Sequence, residues 1–130
     1  DVGVIGIGEN GHIAFNDPPA DFDTDLAYKV VDLDERCRKQ QVGEGWFASI
    51  AQVPAEAVSM TPYQIMCCRC VVSPVPLSVK ASAIFKVLST REVDPMVPAT
   101  LLKTHEDFHL FVDKDSASAC SRELLAQYTA

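Results

Sequence analysis

No apolar run in this chain approaches the roughly 18 residues of a membrane-spanning helix, and no stretch reads as a cleavable leader. A membrane is therefore not expected as a partner. Positive charge is scarce: 11 Lys and Arg stand against 18 Asp and Glu, for a formal net charge of −7. That balance argues against nucleic acid or an anionic lipid surface as a partner. An anionic metabolite is still admissible, because it needs only a local cluster of donors. The five cysteines are odd in number and irregularly spaced, which excludes a disulfide framework and points to a reducing, cytoplasmic compartment. Cys67, Cys68 and Cys70 form a C-C-x-C cluster, but no second cysteine pair or nearby histidine completes four metal ligands. They read as small hydrophobes at a helix end and strand start, and Cys37 and Cys120 as packing residues in helical patterns. Internal repeats and low-complexity tracts are absent.

What is present is enough for a core: 48% of 130 residues are hydrophobic, as in one domain or part of one. The organising stretch is Asp1 to Pro18, DVGVIGIGENGHIAFNDP. Val2, Val4, Ile5 and Ile7 suit a strand buried on both faces of a parallel sheet. Because Asp1 already stands at the edge of that strand, the chain, residues 1–130, is expected to start inside a larger domain. The strand breaks into Gly6, Gly8 and Gly11, which let the backbone turn sharply at the sheet edge where ligands bind in open α/β folds. His12 follows at once, with Glu9, Asn10, Asn16 and Asp17 close by. One imidazole among acids and amides at such a mouth can move protons on a small polar substrate.

Gly6, Gly8 and Gly11 also have the G-x-G-x-x-G spacing of a dinucleotide fingerprint. That motif needs a helix directly behind its last glycine, whereas Asn16-Asp17-Pro18-Pro19 stops any helix within a turn. Nucleotide binding is not the reading adopted.

Along the chain, Pro18 to Asp25 is a polar loop suited to a rim. Tyr28 to Leu33 alternates as a strand, and Asp34 caps a helix through Gln41 that Gly43 and Gly45 end. Arg36, Arg38 and Lys39 on that helix are the densest positive charge, either a solvated face or a phosphate site. Trp46-Phe47 reads as a hydrophobic anchor. Ala57 to Met60 is a strand, Thr61 caps a helix from Tyr63 to Cys68 with Pro62 at its first position, and Cys70 to Ser73 is a strand ended by Pro74 and Pro76. Ser78 caps a helix from Val79 to Ser89. Lys80 in its first turn opposes the macrodipole unless an anion binds there, which marks it as a phosphate candidate. Pro98 to Leu102 is a helical turn, His109 to Val112 the last strand, and Asp115 or Ser116 caps a final helix to Gln127. His105 and His109 read as surface or structural. The alternation of strands and helices predicts an α/β fold, an open, mostly parallel, Rossmann-like sheet flanked by helices.

The segment from Gly6 to Pro18 resembles the active-site motif of the glucosamine-6-phosphate deaminase (isomerase) family, GIG-x-DGHIAFNEP. Gln52-Val53-Pro54, the strand from Ala57 to Thr61, Val75-Pro76 with Lys80-Ala81, Val97-Pro98-Ala99 and Val112-Asp113 follow in the family's order, over its C-terminal half. The related 6-phosphogluconolactonases share the strand and Gly-His but continue His-Thr-Ala-Ser-Leu-Phe, whereas this chain reads Ile13-Ala14-Phe15-Asn16. The resemblance implies conversion of glucosamine 6-phosphate to fructose 6-phosphate and ammonia, without a cofactor. His12 would open the sugar ring, Asn10 and Asp17 would orient the imidazole, and Lys80 would hold the phosphate beside the close-approach glycines Gly8 and Gly11. A second acid, upstream of this chain, would shuttle the proton between C1 and C2.

Asn10 stands where the family has Asp; it can orient His12 by a hydrogen bond but adds no charge. Asp17 stands for the usual Glu, Glu44 or Gly45 for a phosphate-binding Arg, and Leu77 for a glycine of the phosphate turn. Arg36, Arg38 or Lys39 is a substitute for that arginine. Two other readings stay open, a lactonase-type hydrolase and a non-catalytic sugar-phosphate binder. The expected ligand is a small sugar phosphate, with homo-oligomerisation undecided.

Overall fold

The computed structural model describes residues 1–129. Its centre is a three-stranded parallel sheet in the order β1 (Val2–Val4), β4 (Cys70–Val75), β5 (Phe108–Val112). Val4 lies opposite Val72, and Val72 opposite His109. One face carries Gly3, Val71, Ser73 and Val75, all buried. Against it pack Ile65 of α2 (Pro62–Met66) and Ile84 and Val87 of α3 (Ala81–Ser89), together with Ile7, Ile13 and Leu102. In α3 the buried residues are Ala83, Ile84, Val87 and Leu88, the three-to-four spacing of one helix face. Each large aliphatic buried there contributes about 1.5–3 kcal/mol. This is an α/β fold with a parallel sheet flanked by helices.

The other face of the sheet differs from the sequence expectation. Val2 and Val4 are 61% and 70% exposed, and Phe111 60%, so β1 is not buried on both faces. Alternation places Gly3 against the core, where a Cβ would stand 2.9 Å from Cys68 Sγ, and turns both valines outward.

A second departure concerns β2 (Tyr28–Asp32) and β3 (Glu56–Met60), which form a separate antiparallel ribbon with Tyr28 opposite Met60. Their side chains alternate between exposed and half-buried, apart from buried Ser59, the pattern of a ribbon wet on one side rather than of a central parallel strand. Between them lies α1 (Glu35–Gly43), capped by Asp34 as expected. Thr61 likewise caps α2, with Pro62 at its start.

Three boundaries and one anchor differ from expectation. β4 runs through Pro74, and where that proline offers no N–H the Ile5 carbonyl is met by the Ser73 hydroxyl. Ser78 caps nothing: Ser78–Lys80 is a 3-10 turn, entered from Leu77 at φ +82°, and α3 begins at Ala81. The last helix, α4 (Arg122–Ala126), is capped by Ser121, because Asp113 and Ser116 close a turn of their own at the end of β5. Trp46 is 71% exposed and bonded to Glu44, so it anchors no core.

Candidate active site

The chain leaves β1 and folds back at Gly8. Gly8 N–H donates to the His12 carbonyl at 2.9 Å and Gly11 N–H to the Gly8 carbonyl at 3.0 Å. Gly11 holds φ +87° with Val97 against it, a backbone state that glycine enters without steric cost. This closed turn buries His12 to 6% exposure and presses its imidazole on Gly8, where no Cβ would fit. Asn16 locks the return by donating to the carbonyls of Ile13 and Met60, both at 2.8 Å.

His12 Nδ1 lies 3.0 Å from Asp17 Oδ1. The approach is not an aligned hydrogen bond, and Nδ1 has no other partner, so the contact is a close buried imidazole–carboxylate pair. Burial pushes the Asp17 carboxyl up, but the His12 imidazole beside it and the hydrogen bonds from Asn10 and the Asp34 N–H bring it below the usual range. Asn10 does not touch the imidazole: its Oδ1 accepts from the His12 backbone N–H at 3.0 Å, and its Nδ2 donates to Asp17 at 2.9 Å and Asp34 at 3.1 Å. Asn10 thus hydrogen-bonds His12 at its backbone N–H, not at the ring, and bonds Asp17 as well.

A cleft of about 280 Å³ opens beside His12, bordered by Gly6, Gly8 and Lys80. Gly8, His12 and Lys80 therefore come together, and the Lys80 ammonium makes no ion pair among the described residues. Gln40 and Glu44 also line it, joined by a 2.7 Å hydrogen bond, with Gln40 also accepting from the Glu9 N–H. Sequence reasoning noted Glu44 only as a departure and missed Gln40, because nothing local shows that the end of α1 reaches the glycine turn. Arg38 does not reach the cleft: its guanidinium donates to the carbonyls of Ile50 and Val53 at 2.9 and 3.1 Å. Gly11 supports the turn without lining the cleft.

Asp17 does not line that cleft; it borders a second, larger one of about 470 Å³, between the Pro18 to Asp21 loop and β2. An ion pair of 2.6 Å joins Lys29 to Asp21 there. Two triads of metal-type donors lie within 4.8 Å: His12, Asp17 and Cys37, and Cys70, Asp107 and His109. In the first, burial and the charges of Asp17 and Asp34 push the Cys37 thiol up to about 12, which disfavours a thiolate ligand. In the second, the His109 ring lies beside Cys70 across the β4–β5 pair, a neighbour that sequence spacing did not show. His105 meets the Cys68 carbonyl at 2.8 Å and His109 meets Asp107 at 2.8 Å.

No family model matches the chain. It is 37% identical over 118 residues to the glucosamine-6-phosphate deaminase of Clostridium novyi, covering 91% of this chain and 47% of that protein. With the glucosamine-6-phosphate deaminase of Staphylococcus epidermidis it shares 38% identity over 120 residues, 92% of this chain and 47% of the relative. A solved monomeric glucosamine-6-phosphate deaminase superposes with a TM-score of 0.84 at 32% identity, over 92% of this chain and 47% of that one. The 6-phosphogluconolactonase of Trypanosoma brucei gives 0.64 at 21% identity, over 93% and 42%, a likeness of fold alone. The chain spans about half the length of the curated relatives it matches.

Proposed function

We propose that this chain, a homologue of the glucosamine-6-phosphate deaminases over about half of their length, carries the ring-opening side of a site that converts glucosamine 6-phosphate and water to fructose 6-phosphate and ammonia. The observation that carries this reading is His12 on the Gly8 turn, in one cleft with Lys80 and with its Nδ1 3.0 Å from the Asp17 carboxylate. In this scheme His12 moves a proton between the ring oxygen and solvent, and Asp17 balances the charge the imidazole then bears. Lys80 receives the phosphate as a point charge. Gly8 lets the ligand approach the backbone, and Asn10 fixes Asp17. Arg38, held on two carbonyls, is left out of the phosphate grip. No cofactor is needed for this chemistry, and five free thiols suit the cytoplasm.

The acid that shuttles the proton between C1 and C2 is not supplied by the residues around His12. We place it in further sequence of the same domain. The apolar sheet face of Val2, Val4 and Phe111 supports this, since parallel sheets are covered on both sides. The test is ammonia release from glucosamine 6-phosphate by the protein with the sequence its gene encodes upstream of Asp1, beside His12→Ala. Ammonia from the first and none from the second is the expected result. A folded protein that releases none overturns the deaminase reading, and titration with sugar phosphates then tests the binding role.

A further inference from the structure

Asn10 has a single amide nitrogen with two hydrogens, and it meets two carboxylates. Its oxygen is committed to the His12 backbone N–H at 3.0 Å, which fixes which way the amide points. Its nitrogen then donates to Asp17 Oδ1 and to Asp34 Oδ2. Asp34 is more than a helix cap. While Oδ1 takes the Cys37 N–H at 2.6 Å, its own backbone N–H donates to Asp17 Oδ2 at 3.0 Å. Asp17 is thus held at one oxygen by Asp34 directly and at the other by Asn10, which Asp34 anchors. That second oxygen is the one facing His12.

We infer that Asp34 is a positioning residue for the Asp17–His12 pair, and that the neutral amide at position 10 is the form this pair of carboxylates requires. A carboxylate at position 10 would bring a third negative oxygen to about 3 Å from two others with no hydrogen between them, a like-charge contact that forces a proton onto the cluster. Positions 10 and 34 are therefore coupled, although 24 residues separate them. The bearing of this coupling on turnover rests on the reading above; the geometry itself does not. The charged and titratable groups facing Asp17 are His12 from the glycine turn, Asp34 and Cys37 from α1, and Asp21, Lys29 and Asp32 across the larger cleft.

The experiment follows the Asp17 carboxyl by NMR pH titration in the wild-type chain, Asn10→Asp, Asp34→Asn and the double variant. Asn10→Asp raises the Asp17 midpoint by about one unit or more. Asp34→Asn alone moves it little, since the negative charge it removes is offset by the loosened hold on Asn10, which loses a carboxylate acceptor. In the Asn10→Asp background the same Asp34→Asn lowers it, because one of the three carboxylates is gone. A residue serving only as helix cap gives the same shift in both backgrounds. An unmoved midpoint in Asn10→Asp, or an Asp34→Asn effect of the same size in both backgrounds, overturns the inference. If Asn10→Asp unfolds at neutral pH, refolding on acidification and rescue at neutral pH by Asp34→Asn are expected; failure of that rescue overturns it. No sugar phosphate enters the measurement, so it fails independently of the deaminase reading.

Discussion

His12 lies so close to Gly8 that a Cβ on the glycine would stand 2.2 Å from both Cε1 and Nε2 of the imidazole. Neither the ring nor the backbone can yield without the other: Gly8 N–H holds the His12 carbonyl. Gly8→Ala is expected to displace the ring, cost about 1–3 kcal/mol in a urea unfolding titration, and abolish ammonia release. A variant as stable as wild type would show that the imidazole has room to move.

Lys80 lines the cleft together with Gln40 and Glu44 and makes no ion pair among the described residues. Lys80→Ala is expected to weaken binding of glucosamine 6-phosphate by about tenfold or more, the loss of one charge-assisted hydrogen bond, with little change for unphosphorylated glucosamine. Calorimetric titration of both ligands checks this, and equal losses for the two would remove Lys80 from the phosphate.

Asp17 gives the chain an acid-sensitive element. Its carboxyl titrates lower in the folded chain than in the unfolded one, so its contribution to stability is full above about pH 3.9. It is lost as pH falls through the folded value, when the proton disrupts the bonds from Asn10 and Asp34 and the pairing with His12. Urea midpoints measured from neutral pH downward should fall across that window in wild type and fall less in Asp17→Asn. Parallel curves would mean that Asp17 is not held in the ionised form.

Leu77 enters the 3-10 turn ahead of Lys80 at φ +82° and ψ 144°, a region populated almost only by glycine. It is held there by its N–H, which donates to Asp113 at 3.1 Å, and its side chain is 60% exposed. Leu77→Gly is therefore expected to stabilise by about 1 kcal/mol, the released strain exceeding the entropy glycine loses, whereas Leu77→Ala gains nothing. A thermal melt separates the two, and a lower midpoint for the glycine variant would contradict the backbone assignment.

The parts of this molecule written in adjacent residues were legible in the sequence. The glycine turn before His12, the Asp34 and Thr61 caps and the apolar face of α3 all depend on neighbours within about four positions. The parts that depend on distant partners were not. Arg38 looks like a phosphate ligand until the carbonyls of Ile50 and Val53 are in place around it. Glu44 and Gln40 become cleft residues only because α1 docks beside Glu9. Asp34 shows its cap in the sequence but not its bond to Asp17, 17 residues away. The ribbon of β2 and β3 was missed for a similar reason: alternation identifies a strand without saying which strand it joins.

The outward face of the three-stranded sheet changes how this chain behaves as a reagent. Dyes such as ANS, whose emission rises on apolar surfaces, are ordinarily used to recognise loosened states. Here Val2, Val4 and Phe111 offer such a surface with the packed core of Ile84, Val71 and Leu102 intact beneath them. The folded chain will therefore stain brightly, and brightness will follow occupation of that face rather than loss of order. A segment or partner that covers the sheet will dim the dye without altering the fold, so folding must be followed by a signal from the core.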